Sequence, residues 1–464
     1  MSELQYAGEF NLEECTLLTS AGLSADLKDS VYQIDIFEEL NKNTISGSVF
    51  VFDTNSILTQ GQVIGQDYLL LKISTPQLTE SDDRKKIDYS KNALVIYNVK
   101  AKFDINNGAE GYQLDFMSAE GLYNHRTRLS RSFKGSNSEI VEDVLRNDEI
   151  IGTKKKIFIE PTSGSRKYVV PNIHPFQFIK NLARDSRSDT NGSPHYHFYE
   201  TTKGFHFRTL QSLYNQESVM DFNDGQIGTL SEGSSKTRDV SEEFSRLIKF
   251  GISGNYDMLS SVRGGLLGSN CVKINTYNHT YAIDEYSYFN NFNEFDRING
   301  RNRTLDNPIY TESIIDERGN TLGSFTDART FLHPVHSDLN GFDALHDIDG
   351  SLAFQENSSP QNITRRKAKM FELETSLSAT VRANGHTDME VGQIVYLSRP
   401  GTDGVDAEYT GRYLVTKLRH TFLISAKKHE VSMALVKDSS AGRKSGHNVL
   451  PKSNGGATVK LKDY

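Results

Sequence analysis

The chain has 464 residues, a formal net charge of −8, 36% hydrophobic residues and 24% charged ones. That length predicts two to four domains with cores of their own, and the composition lies outside the disordered regime. The near balance of charge gives no sign of a nucleic-acid-binding patch or a polyanion partner, and two lone cysteines, Cys15 and Cys271, exclude a disulfide framework and point to assembly in a reducing compartment.

The first residues, MSELQYAGEFNLEEC, show no basic start followed by an apolar stretch, so no secretory signal is expected. No window approaches 18 uninterrupted apolar residues, so no membrane segment is expected either. The 21 Tyr and 25 Phe, without a single Trp, go with strands and aromatic contact surfaces.

Residues 1–123 read as an antiparallel β-domain. Val31–Phe37, Ile45–Phe52, Tyr68–Ile73, Leu94–Ile105 and Tyr112–Met117 alternate apolar and polar with the period of a strand. Thr79–Asp88 reads as a charged loop and Asn106-Asn107-Gly108 as a turn tolerant of positive φ. Residues 124–235 read as an α+β side domain. Asn137 or Ser138 is expected to cap a helix with Ile140, Val141, Val144 and Leu145 on one side. His174-Pro175 opens a second helix with Phe178, Ile179 and Leu182 on one face, and a hairpin, His195–Glu200 and Phe205–Leu210, follows.

Residues 236–277 return to β patterning, with Glu242–Ile252, Tyr256–Ser260 and Cys271–Thr276 as candidate strands. Residues 278–359 form an irregular, aromatic-rich insertion expected to pack on a neighbour. Thr364–Leu373 predicts a helix with Arg365, Arg366 and Lys369 on its exposed side, followed by a strand at Ser376–Ala383. Residues 236–277 and 360–440 together read as a second β-domain, and residues 441–464 as an extended Ser/Gly/Lys-rich tail. In that tail Lys452, Lys460 and Lys462 flank Val459 and Leu461, a pattern suited to adding a strand to a partner's sheet edge.

The two β-domains share a phrase. Laid without gaps over Tyr413–Val436, the stretch Leu94–Met117 puts Val95, Val99, Phe103 and Ile105 on Leu414, Leu418, Phe422 and Ile424. After a polar turn Tyr112, Leu114 and Phe116 fall on Val431, Met433 and Leu435. Upstream of each copy stands another match, Ile64-Gly65-Gln66 and Val391-Gly392-Gln393. Gly65, Gly385, Gly392 and Gly411 are expected as structural turns of these domains. The bland alternative is that any two amphipathic hairpins align; matched phase, turn and preceding Gly-Gln favour duplication.

Chemistry-bearing clusters are sparse. His195, His197 and His206 are the best metal candidates, since one hairpin face holds the first two and the third lies across the turn, yet no cysteine or further motif accompanies them. Neither a nucleophile elbow nor a phosphate-binding loop is present: Gly264-Gly265-Leu266-Leu267-Gly268 lacks the lysine. Asp343, Asp347 and Asp349 and the pair Asp284-Glu285 read as loop solvation. The expectation is no catalytic residue, no metal and no cofactor.

The strand ending in Gly385-His386, then Val391–Leu397, then Gly411–Val415 running to Leu418-Arg419-His420, resembles the second tube domain of the baseplate hub proteins of contractile-tail phages. The hub part of type VI secretion spike proteins is similar. Pro175–Ile179, Leu182-Ala183 and Phe198-Tyr199-Glu200 through Gly204–Phe207 resemble that family's side domain, and Tyr32–Asp53 its first tube domain. The resemblance implies a mainly β fold of two similar antiparallel β-barrel domains with an α+β side domain and peripheral parts. It implies a homotrimer forming a pseudo-sixfold ring, with a central spike, the tail tube and baseplate wedge proteins as partners and DNA only as passing cargo. It places the protein in the virion tail, assembled in the host cytoplasm. Two alternatives are a cell-wall hydrolase associated with the hub and a glycan-binding adhesin using Tyr286–Phe295 as its platform.

Overall fold

In the computed structural model the described residues are 6–76, 85–105, 109–223, 243–252, 257–275, 279–299, 308–312, 315, 318–334, 360–375, 377–401, 404–405 and 408–440. The turn expected at 106–108 and the tail at 441–464 lie outside them.

Eight strands come from the first part of the chain. They are β1 (Asn11–Leu18), β2 (Ser24–Asp26), β3 (Val31–Glu39), β4 (Ser46–Asp53), β5 (Asp67–Ser74), β6 (Ile87–Asp88), β7 (Leu94–Ile105) and β8 (Ala109–Ser118), with the one-turn helix α1 (Ile57–Gln60) before β5. The alternation read from the sequence is the burial pattern found: Leu69, Leu71 and Ile73 of β5 are buried while the residues between face outward or are half-buried. The inward side chains, with Phe116, Tyr112, Val49 and Val51, make one core.

The side unit comprises α2 (Ala119–Arg126), β9 (Ser132–Gly135), α3 (Asn137–Arg146), β10 (Lys156–Ile159), β11 (Arg166–Val169), α4 (Pro175–Asp185), β12 (Tyr196–Thr201), β13 (Gly204–Thr209) and α5 (Leu210–Tyr214). Ser136, rather than Asn137 or Ser138, caps α3, and Glu139 returns the bond in a capping box, so the helix starts where two amide donors can be satisfied at once. Asn137 instead turns inward and donates to Ser186. Both helices bury the predicted faces against β12 and β13 in a core of their own.

The last part of the chain supplies β14 (Ser218–Asn223) and β15 (Leu247–Ile252), then α6 (Met258–Gly264), β16 (Gly268–Asn275), β17 (Thr280–Ser287), β18 (Thr330–Pro334) and α7 (Pro360–Thr375). It ends with β19 (Leu377–Asn384), β20 (Ile394–Ser398), β21 (Pro400–Gly401), β22 (Gly404–Val405), β23 (Gly411–Leu423) and β24 (Lys428–Lys437). Two expectations need correction here. The stretch Tyr256–Ser260 holds the start of α6, whose N-terminus Asp257 caps by accepting from the Ser260 amide, not a strand. The segment expected to be least regular contains β17, which pairs with β16 along eight residues and, with β18, forms a small sheet apart from the large one.

The large sheet runs β15-β19-β24-β23-β3-β4-β8-β7-β5-β1-β2, with β20 on β23 and β14 on β20. It contains the same unit twice. In space the first unit reads β3-β4-β8-β7-β5-β1 and the second β15-β19-β24-β23-β20-β14, and the chain visits the six positions in the same sequence both times. Irregularities repeat as well. Between β7 and β8 the register shifts at Ile96/Asn98, and between β23 and β24 at Val415/Lys417, 319 residues on. Between β3 and β4 it shifts at Val31/Gln33, and between β15 and β19 at Leu247/Lys249, 216 residues on. Bulges are placed features of a strand, so their recurrence at matching sites argues for duplication far more strongly than alternation does.

Two differences between the copies bear on strand pairing. β1 runs antiparallel to β5, whereas β14 runs parallel to β20. β7 carries a second bulge between Lys100 and Phe103, with Ala101 at φ 53, that β23 lacks. That extra residue turns Phe103 outward and moves it one place out of line: Phe103 faces Gly111, the counterpart of Glu430, and Glu430 faces Thr421 rather than Phe422. The ungapped match of Phe103 with Phe422 is therefore off by one beyond the bulge.

Candidate functional site

With the enzyme-like clusters so sparse, the feature that invites a functional reading is the seam at which the two units join. β23 uses its first residues, Gly411–Leu414, to pair with β20 of its own unit, and Lys417–Leu423 to pair antiparallel with Gln33–Glu39 of β3 in the other. A strand 13 residues long can serve two sheets in succession, and the bulge at Val415/Lys417 marks the changeover.

The seam is polar outside and apolar inside. On the outer face Asp35 accepts from both Arg419 Nε and a terminal guanidinium nitrogen at 3.0 Å, from Thr421 Oγ1 at 2.8 Å and from Gln33 Nε2 at 2.7 Å. On the inner face Phe422 enters the core of the first unit, edge-on to Phe10 at 5.1 Å. The apolar plug drives association without direction, and the forked guanidinium on a fixed carboxylate sets the register.

Above the seam lies a buried junction of all three parts. Glu38 of β3 accepts from the Thr202 amide at 2.8 Å, in the side-unit hairpin, and from the Val391 amide at 2.9 Å, in the second unit. Burial, reinforced by the Glu390 carboxylate, pushes the Glu38 pKa up to about 8. Thr201 donates to Glu390 at 2.7 Å, and Lys203 reaches Asp388 at 3.0 Å. Behind them His420 Nδ1 and His429 Nε2 share a bond of 3.0 Å. Burial holds His420 down near 3, and burial also holds His429 well below the usual imidazole range. A second tie joins the side unit to the first: Lys155 bonds Glu120 and Glu200 at 2.7 Å each, and Glu200 also accepts from the Ile45 amide and Ser118. Burial opposes the Lys155 charge, but the two carboxylates outweigh it and raise its pKa.

The glycines singled out in the sequence sit at these places. Gly65 and Gly392 have φ of 90° and 87°, and each lies against the bulge of its unit's long strand: Gly65 beside the Tyr97 carbonyl, Gly392 donating to the Val415 carbonyl at 2.9 Å. Only glycine enters that conformation at low cost, and a side chain at 392 would meet the Tyr199 ring. Gly385 packs under His429, and Gly411 is the first residue of β23.

The three candidate metal ligands are not brought together. His197 pairs with Arg208 across the hairpin while His206 pairs with Tyr199, whose ring stacks on it at 4.9 Å, and His195 precedes the strand and bonds Ser193. Burial depresses the pKa of His197 and His206 to about 3. Among the described residues no group of three His, Cys, Asp or Glu has the arrangement to hold a metal.

The cations expected on the exposed side of α7 are engaged instead. Arg366 donates to the Pro194 and Tyr196 carbonyls, Arg365 bonds Glu294 and Asp284, and Lys369 bonds Glu372 and Asp438. Arg297 joins the same network through Glu372 at 2.7 Å and Asp438 at 3.7 Å, and the Ile298 amide donates to Asp438 at 3.1 Å, which anchors the insertion to the residue following β24. Tyr286, Tyr288 and Phe292 are buried, so the stretch Tyr286–Phe295 presents no aromatic platform there. The seam was missed in the sequence, but it left a signal: β23 is too long for its partner β20.

No protein-family model matches the chain, and no curated protein matches it either. Among solved structures the chain is similar to the tail protein from Neisseria meningitidis MC58, with a TM-score of 0.52 at 9% identity over 93% of this chain and 97% of that one. It is also similar to the 43 kDa tail protein of prophage MuSo2 from Shewanella oneidensis, with a TM-score of 0.49 at 6% identity over 92% and 99%. An E. coli protein described as a type VI secretion component resembling the T4 phage tail proteins gp27 and gp5 matches with a TM-score of 0.40 at 9% identity over 93% and 77%. The chain has the mainly β fold of the Neisseria tail protein.

Proposed function

We propose that the protein is the structural hub of a contractile-tail baseplate: a homotrimer whose three chains set six similar β-units in a ring, adapting a sixfold tail tube to a threefold central spike. The observation that carries this reading is the duplicated six-strand unit with its two copies locked edge to edge by the β3–β23 seam. One such pair fixes the step from each unit to the next, and repetition of a fixed step is what closes a ring. The spike, the tail tube and the wedge proteins are the partners in this reading, with DNA passing through as cargo, in the virion tail and after assembly in the host cytoplasm.

The role is mechanical rather than catalytic. The buried carboxylates Glu120, Glu200, Glu372 and Asp438 are committed to Lys155, Arg297 and Lys369, which supports a scaffold. Sedimentation in native buffer tests the reading: a species of three times the 52.1 kDa chain is expected, alone or with the spike protein. A stable monomer under both conditions overturns it.

A further inference from the structure

β3 and β23 meet inside one chain, and each has a counterpart whose matching edge is open. β15, the counterpart of β3, ends the sheet path; Asn223 at the end of β14 bridges to Arg246 just before it, and along Leu247–Ile252 no strand lies on its outer side among the described residues. β7, the counterpart of β23, pairs with β5 only over Leu94–Ile96; from Asn98 to Ile105 it has β8 on one side and, among the described residues, no strand on the other. The two halves of a seam thus lie in different units of one molecule, unpaired with each other. One copy cannot join them.

We propose that the second half of β7 in one copy pairs antiparallel with β15 of a second copy, repeating between chains the β23–β3 seam that exists within each. This rests on the ring reading and specifies the surfaces that close it. The register follows from the matched bulges. Within the chain Thr421 lies opposite Asp35. Phe103 occupies the place of Thr421, since each faces the same position on β8 or β24, and Gly251 occupies the place of Asp35, 216 residues on. Phe103 of one copy therefore lies opposite Gly251 of the next.

The side chains suit that pairing. Phe103 is 44% exposed, and its ring already covers Gly111 on β8 and stacks on Phe50 at 5.9 Å. Opposite a second glycine it would cover that backbone as well, the cross-strand arrangement in which an aromatic shields a bare strand. Phe50 continues into an outward aromatic cluster with Tyr32 and Phe52 at centroid distances of 6.2 and 5.2 Å. β15 offers Ile248 and Ile252, 46% and 45% exposed, and an open strand edge bearing exposed isoleucines is one that chains ordinarily cover. One step along, Asp104 falls opposite Phe250, whose ring carries the Arg399 guanidinium 4.9 Å from its centroid, so an acid meets a cation. The contact is head to tail, using different surfaces on the two copies, so both edges are consumed only when the ring closes.

Paired cysteines test it. Directly opposite residues of antiparallel strands have Cα atoms about 4.5–5.5 Å apart, within reach of a disulfide. At Gly251 the nearest atom to an added Cβ is the Thr380 carbonyl at 3.8 Å, so the new side chain is accommodated, and Cys15 and Cys271 are buried. After mild oxidation the Phe103→Cys/Gly251→Cys variant should run without reductant as a ladder ending at three chains. Each single variant should stay at one chain, and a mixture of the two singles should stop at two. A double variant that sediments as a trimer yet links no better than the distant Phe103→Cys/Leu247→Cys pair overturns this pairing and leaves the hub reading standing. A monomer at every concentration, with or without the spike, overturns both.

Discussion

Asp35 illustrates how much one side chain at the seam decides. Four donors from three side chains converge on it while it is itself buried. Replacing it with Ala should cost about 2–3 kcal/mol in chemical denaturation, because three half-buried side chains lose the charged acceptor they share. Arg419→Ala should cost less, about 1 kcal/mol, since its side chain is 45% exposed and water takes its place. Equal losses would mean that Asp35 stabilises the seam only through the arginine. Glu38 and the His420–His429 pair act in opposite directions on pH. The folded pKa of Glu38 is raised to about 8 from 4.5, so its contribution is full below pH 4.5 and is lost as pH rises toward 8. The folded pKa of His420 is depressed to about 3 from 6.5, so its contribution is full above 6.5 and is lost as pH falls through that range. Urea midpoints measured across pH 4–9 should therefore fall on both sides of a maximum. Glu38→Gln should flatten the alkaline limb and His420→Leu the acid one; a limb unchanged by its own substitution would refute that assignment.

At the scale of elements, the pair of glycines separates shared geometry from individual packing. Gly392→Ala combines a left-handed φ with a clash on Tyr199 and should cost about 2–3 kcal/mol in thermal unfolding; Gly65→Ala, whose added Cβ lies 3.1 Å from a carbonyl oxygen, should cost about 1–2. The central strands of both units were legible in the sequence because period-2 alternation survives whatever lies beside a strand, as in β5 and β19. β1 was missed because Glu13-Glu14-Cys15-Thr16 puts charges where one face is half-buried, hiding the alternation. β14, whose burial pattern shows a single buried residue, gave no period at all. The bulge at Ala101 was invisible for a different reason: an inserted residue with positive φ leaves the string of residue types unchanged and alters only what faces what. The cations of α7 were misplaced because the helix is buried by the insertion around it, and a helix's exposed face cannot be read from the helix alone. The seam followed from none of these local rules. It depends on where two distant strands end up, although the surplus length of β23 announced it.

For the whole molecule, the ion network of Arg297, Lys369, Glu372 and Asp438 ties the insertion to the second unit from within. Glu372→Ala should leave Arg297 and Lys369 facing a single acid and lower stability by about 3 kcal/mol. Because none of those four residues belongs to β7 or β15, the trimeric mass expected in sedimentation should survive the substitution; loss of the trimer at a temperature where the fold persists would show that the insertion takes part in assembly. The place of that insertion has a further consequence. It enters between β15 and β19, where the first unit has only the turn from Glu39 to Ser46 joining β3 to β4. Duplication made two equivalent doorways in the chain, and one of them alone was furnished. In the proposed ring a visitor travelling through the middle would pass the same strands six times over, while a visitor feeling its way around the rim would find a landmark at every second position. The rim would thus keep count of chains, and the bore would not.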